Sequence, residues 1–214
     1  MRVAINIISA YKVYAERKIE DLQEKRIVPK MIVRRRLTRS AKIMLYLADK
    51  CGFKDGKIVY ASAYGELQAA AGITDAILNN SPISPTLFQN SVYNSAPSYF
   101  SMLNGDKDEI ITISSGMKSS LDALKTASLQ ALVSGEKVLC VSIECLDIDR
   151  IEEVNLCTKY LESGACVVLE IAENEQDAKE IQEYEESGII ESLQDLMRVV
   201  NMSKKGFNKV FVEL

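Results

Sequence analysis

Along the chain, short β-branched runs alternate with stretches whose apolar residues recur every three or four positions, and that alternation predicts a layered α/β domain. Val3 to Ile8 reads as a first strand. The more polar Tyr14 to Arg26 predicts a helix that stops before Pro29, because proline disfavours helix in the residue ahead of it. Arg34 to Asp49 predicts a second helix with Leu37, Ala41, Met44, Leu45 and Ala48 on one face, and with Thr38 or Ser40 placed to cap it. Lys57 to Ala63 is a second strand. Tyr64-Gly65-Glu66-Leu67 follows at its carboxyl end and opens a helix near Gln68. Pro82 and Pro85 mark a loop. Ser91 to Leu103 predicts a helix with Pro97 in its first turn, and Gly105 ends it. Ile110 to Ile113, Lys137 to Ile143 and Gly164 to Ile171 supply three further strands of a mostly parallel, mixed sheet with helices on its faces.

Past Ile171 the character changes. Residues 173–186 and 189–202 predict two acidic helices broken at Gly188, and Val210 to Val212 a last edge strand. At 214 residues the chain suits one domain. Residues 1–172 form the main unit in this reading, and residues 173–214 are a tail packed on it.

The stretch from Ile110 to Val133 organises the rest. Its strand runs through Ser114-Ser115-Gly116 into an amphipathic helix, the junction on which many α/β enzymes present a nucleophile. The first side chain after the turn is Met117, whose thioether cannot be deprotonated. On a helical wheel Met117 joins Ser120, Leu121, Leu124, Ala127, Ser128, Ala131 and Leu132 on one stripe, so packing in the core is its expected role. Lys118, Asp122, Lys125, Thr126 and Gln130 lie opposite, interrupted by Leu129 and Val133.

Composition narrows the chemistry. The chain has no histidine, which removes the commonest general base and counts against a metal site; neither metal nor cofactor is expected. Cys51, Cys140, Cys145, Cys157 and Cys166 include no C-x-x-C pair and read as buried, reduced thiols. No apolar run approaches the ~20 residues that span a bilayer. The opening M-R-V-A-I-N-I-I-S-A reads as a strand rather than a signal peptide, so the expected compartment is the cytoplasm. The net charge of −4 hides an asymmetry: residues 25–42 hold eight Lys or Arg and no acid, and residues 173–195 nine acids against Lys179. The basic run, with Arg34, Arg35, Arg36 and Arg39 at its centre, is either a solvated face or a docking patch for an acidic partner. Without basic–aromatic interleaving or a binding motif, nucleic acid is not an expected partner.

The run S-S-G-M-K-S-S-L-D-A-L from Ser114 resembles the nucleophile segment of β-ketoacyl synthases. It is closer still to chain-length factors, inactive synthase partners in which a non-nucleophile replaces the cysteine. Arg34-Arg35-Arg36-Leu37-Thr38-Arg39-Ser40 agrees, as does Ser84-Pro85-Thr86-Leu87-Phe88 followed by Asn90-Ser91-Val92-Tyr93-Asn94. Over residues 1–172 the chain is similar to β-ketoacyl synthase N-terminal-domain-like proteins. The resemblance implies half of a thiolase-like fold, Met117 at the nucleophile position, and neither the second half of a synthase nor its catalytic histidines. It also implies a two-fold or pseudo-two-fold sheet junction through Ile110, Ile111, Thr112 and Ile113. The partners would be a full-length ketosynthase or a second copy, with an acyl carrier protein docking on Arg34, Arg35, Arg36 and Arg39. The expected function is that of a non-catalytic, chain-length-factor-like partner in bacterial fatty-acid or polyene/polyketide-type synthesis. An acyltransferase or hydrolase using a serine or a cysteine is one alternative. A scaffold that kept a synthase half-fold is the other.

Overall fold

A six-stranded mixed sheet in the order β3-β2-β4-β5-β1-β6 carries the fold. The computed structural model describes residues 1–148 and 158–214. Its strands are β1 (Arg2–Ala15), β2 (Lys57–Ala61), β3 (Ile110–Ile113), β4 (Val138–Cys145), β5 (Glu162–Ile171) and β6 (Lys209–Glu213). β2 pairs in parallel with β3 and β4, whereas the β4–β5, β5–β1 and β1–β6 pairings are antiparallel. β1 therefore runs the same way as β2, β3 and β4, and only β5 and β6 oppose them. Every residue of β4 is buried, as its apolar run V-L-C-V-S-I requires of a strand covered on both faces.

One face carries α3 (Arg39–Lys50) and α6 (Ser95–Asn104); the other carries α7 (Ser119–Ser134) and α8 (Gln194–Lys204) side by side. The short α1 (Glu24–Ile27) and α2 (Met31–Arg34) lead into α3, and α4 (Leu67–Leu78) and α5 (Pro85–Asn90) form an excursion between β2 and α6. Thr38 caps α3 by accepting from the Ala41 N–H at 3.1 Å, and its core face includes Ala41, Met44, Leu45 and Ala48, as the periodicity predicts. Pro97 sits in the first turn of α6, and Gly105 closes that helix at φ +69°. A Cβ at Gly164 of β5 would stand 3.0 Å from Leu47, so glycine there lets α3 lie close on the sheet.

Three expectations are corrected. Tyr14 to Arg26 is not one helix: β1 continues to Ala15, pairing with β5 from Ile5 opposite Ile171 to Ala15 opposite Glu162, and helix begins only at Glu24 with α1. Tyr11, Val13 and Tyr14 favour that extended state, and Tyr14 packs on Tyr160 with ring centroids 4.6 Å apart. α3 begins at Arg39 rather than Arg34, because Thr38 is extended at φ −64°, ψ 166°. Residues 173–186 form no helix. Their acids repel at helical spacing, as with Glu173 and Asp177 or Glu183 and Glu186, and the segment instead lies along the sheet edge. There Lys179 donates its N–H to the Lys209 carbonyl (3.0 Å) and accepts from the Phe211 N–H (2.9 Å). Arg2 pairs with Glu180, and Lys12 with Glu186.

The second acidic stretch is helical only from a 3₁₀ turn at Glu191–Leu193 onward, through α8. Ile190, Leu193, Leu196, Met197, Val199 and Val200 enter the same core as α7, and β6 pairs with β1, so the tail is part of the fold's packing. No helix among the described residues is long and apolar enough to cross a membrane.

Candidate functional site: a solvent-facing elbow beside an open sheet edge

The junction after β3 is built by serine hydroxyls. Gly116 takes φ +57°, a left-handed turn that glycine adopts at little cost, and a 3₁₀ turn spans Gly116–Lys118 before α7 begins. Ser119 is fully buried; its hydroxyl accepts from the Ser115 N–H (3.0 Å) and donates to the Gly116 carbonyl (2.7 Å). That hydroxyl is a clamp, not a nucleophile. Ser114, Ser115, Met117 and Lys118 are exposed.

Met117 is 41% exposed, which corrects the expectation that it packs in the core. The stripe holds over Ser120, Leu124, Ala127, Ser128 and Ala131, which are buried, but it fails at Leu132, which is exposed, and the 3₁₀ turn takes Met117 off it. Leu129, Leu132 and Val133 also remain exposed near the end of α7. The elbow therefore presents an unreactive side chain to solvent at the position where this type of junction holds its reagent.

β3 lies at one end of the sheet and, among the described residues, pairs only with β2, from Ile58 opposite Ile110 to Ala61 opposite Ile113. Among the described residues, no backbone hydrogen bond reaches its outer side. The opposite edge, β6, carries the Lys179 strap; among the described residues β3 has no such cover. Ile110, Ile111, Thr112 and Ile113 are half-buried, with Ile110 against the α3 layer and Ile111 and Ile113 against the α7 layer.

The arginines do not act as one patch. Arg35 and Arg36 are exposed. Arg34 is half-buried and donates to the carbonyls of Val28 and Pro29, both at 2.6 Å. Arg39 turns inward: its side chain is 9% exposed and forks onto Glu162, whose own side chain is 2% exposed. Arg39 also donates to the Ile19 carbonyl, while the Ile19 N–H donates to Glu162 at 2.7 Å. Burial works against the Arg39 charge, but the Glu162 carboxylate outweighs it and raises the guanidinium's pKa. None of these arginines pairs with the acidic segment, whose carboxylates meet Arg2 and Lys12.

Sequence reasoning missed two further carboxyls. Glu144, near the end of β4, is fully buried and accepts from the hydroxyls of Ser62 (2.8 Å) and Ser192 (2.9 Å) and from the N–H groups of Ala63 (2.6 Å) and Tyr64 (3.3 Å). Desolvation raises its pKa even so. It ties the end of β2 to the turn before α8. Glu66 is also buried; it accepts from the Thr38 hydroxyl at 2.8 Å, and burial pushes its pKa up to about 7. A lone acid inside an apolar run, as in V-S-I-E-C, is the signal that would have found Glu144. Both carboxyls bond to their own chain. Among the described residues, no three His, Cys, Asp or Glu side chains converge as metal ligands. Cys140, Cys145 and Cys166 are buried, Cys51 is half-buried, and Cys157 lies outside the described residues.

Comparison with known proteins follows this geometry. The family model described as "Beta-ketoacyl synthase, N-terminal domain" matches residues 12–185. No curated protein matches the chain. Among solved structures, a ketosynthase (ApeO) in complex with its chain length factor (ApeC) from Xenorhabdus doucetiae is similar at TM-score 0.65 and 21% identity, over 79% of this chain and 80% of that one. A β-ketoacyl synthase from Burkholderia phymatum STM815 is similar at TM-score 0.60 and 12% identity, over 81% of this chain. The complex AntDE:AntF, a type II polyketide synthase acyl carrier protein with its ketosynthase bound to the hexaketide, is similar at TM-score 0.51 and 13% identity, over 82% of this chain. The chain covers 60% of the length of each of the last two. At these identities the likeness is one of fold: a mixed α/β sheet that matches half of a thiolase-like synthase.

Proposed function

The chain belongs to the β-ketoacyl synthase N-terminal-domain family, and from that premise we propose that it is a non-catalytic, chain-length-factor-like partner of a full-length ketosynthase. The synthesis it serves is of the bacterial fatty-acid or polyene/polyketide type, and it takes place in the cytoplasm. Residues 1–172 are the synthase-like unit in this reading, and residues 173–214 close its sheet.

One observation carries the proposal: a methionine stands exposed at the elbow, next to a sheet edge with no cover among the described residues. Condensation of thioesters needs a thiolate to carry the acyl chain, and a thioether offers none. The chain also has no imidazole to help decarboxylate an extender unit. What the elbow keeps is its shape, and what β3 keeps is a row of backbone donors and acceptors. An edge strand rich in isoleucine is an invitation to pair. A ketosynthase strand, or a second copy of this chain, would satisfy those groups, each of which costs ~1–3 kcal/mol if buried without a partner.

The apolar surface of the α4–α6 excursion supports the same reading. Ile77, Leu78, Phe88 and Met102 are each more than half exposed, more large apolar side chains than a free surface needs there. Arg35 and Arg36 supply the docking charge for an acidic carrier protein, with Arg34 beside them and Arg39 withdrawn.

The test is decarboxylative condensation of malonyl and acyl thioesters by the isolated chain. No turnover is expected. Turnover at the rate of a working synthase would overturn the proposal.

A further inference from the structure

We infer that Cys51 and Cys166 are an oxidisable pair, a site at which a hydroperoxide installs a disulfide between the end of α3 and the middle of β5. The two sulfurs lie 3.0 Å apart, closer than two thiols need to be to share a hydrogen bond, and they come from positions 115 residues apart in the chain. A disulfide bond measures about 2.05 Å, so each sulfur has to move only a fraction of an ångström.

The two positions are unequal in a way that orders the chemistry. Cys51 caps the end of α3 and is half-buried, so a small oxidant reaches it from solvent. The hydrogen bond with Cys166 holds the Cys51 pKa below its ordinary value, against the burial that raises it. Cys166 is buried in the α3 layer of the core, where desolvation keeps its thiol protonated. Cys51 is thus the peroxide-reactive sulfur and Cys166 the resolving one. The Cys51 thiolate attacks one oxygen of hydrogen peroxide; the S–O bond forms, the O–O bond breaks, and the leaving hydroxide takes up the proton that the Cys51 thiol released and departs as water. Cys166 then attacks the sulfenic sulfur. The S–S bond forms, the S–O bond breaks, and the hydroxyl leaves with the Cys166 proton as a second water. Two thiols lose two electrons and two protons, and the peroxide is reduced to water.

Cys140 and Cys145 are buried in β4 with their thiol pKa values raised by desolvation alone or foremost, so neither competes for the oxidant. The product joins a helix end to a central strand and closes a loop that contains β2, α4, α5, α6, β3, α7 and β4.

The experiment treats the full chain with hydrogen peroxide and counts free thiols after denaturation. The count is expected to fall from five to three with a mass loss of about 2 Da, and non-reducing peptide mapping is expected to recover a Cys51–Cys166 link. Dithiothreitol restores all five. Cys51→Ser at the half-buried position, checked for folding by circular dichroism, keeps its four remaining thiols under the same treatment. The inference is overturned if wild type keeps five thiols, if the link involves any other cysteine, or if Cys51 gains oxygen while Cys166 stays free.

Discussion

Replacing Arg39 by alanine separates the two roles that the R-R-R-L-T-R run presents to a reader of the sequence. Arg39 and Glu162 are an almost dry ion pair, with side chains 9% and 2% exposed, and the fork between them is completed by the Ile19 carbonyl and N–H. Truncating Arg39 leaves the Glu162 carboxylate with one backbone donor and, from the far side of the fork, nothing. Removing one partner of a buried pair costs about 3–5 kcal/mol. In a domain of this size that lowers Tm by roughly 6–20 °C. Arg35→Ala and Arg36→Ala, on exposed side chains, should stay within about 0.5 kcal/mol of wild type. Urea unfolding followed by circular dichroism measures all three. Because the cost comes from an orphaned charge, Arg39→Met combined with Glu162→Leu should recover most of the loss. An Arg39→Ala chain within 1 kcal/mol of wild type would refute the buried pair.

Other outcomes follow from the same geometry. Glu66 titrates at about 7 in the folded chain against an ordinary 4.5, so the folded state holds a proton that the unfolded state has released. Stability therefore falls as pH rises from about 4.5 to 7, by up to about 3 kcal/mol, and Glu66→Gln should flatten most of that slope in urea titrations at several pH values. Glu144, raised in the same direction, leaves a residual slope; an unchanged slope in Glu66→Gln would refute the assignment. Met117→Cys should not gain condensing activity in a malonyl-thioester assay, since a thiolate at the elbow still meets no imidazole. Binding of an acyl carrier protein should weaken with salt, screened over ~8 Å at physiological ionic strength, and weaken again in Arg35→Ala with Arg36→Ala. Binding indifferent to both would assign those arginines to solvent alone.

The sequence was most legible where local chemistry decides the structure. Val138 to Ile143 is an apolar run that only a doubly covered strand accommodates, and Thr38 is a capping residue followed by an apolar stripe. It was least legible where the deciding partner is distant. The extension of β1 through Tyr14 depends on β5, and the inward turn of Arg39 depends on Glu162, 123 residues away. The failed helix at residues 173–186 was a matter of weighing. Lys179 hydrogen-bonds β6 there, and Glu180 and Glu186 meet Arg2 and Lys12 instead of facing one another on a helix. At the elbow the expected core position of Met117 fails for a geometric reason. A helical wheel assumes 3.6 residues per turn from its first position, whereas the tighter turn at Gly116–Lys118 breaks that register and sends Met117 to solvent.

The central claim is that β3 is a junction strand for a synthase partner, and the molar mass of the chain co-expressed with a full-length ketosynthase from the same genome tests it most directly. Multi-angle light scattering should find one copy of each in a stable complex. Thr112→Pro should break it while circular dichroism stays that of the folded chain, because proline removes a ladder donor from a strand that, among the described residues, is paired on one side only. A wild-type chain that travels alone, beside a ketosynthase that pairs only with itself, would contradict the account.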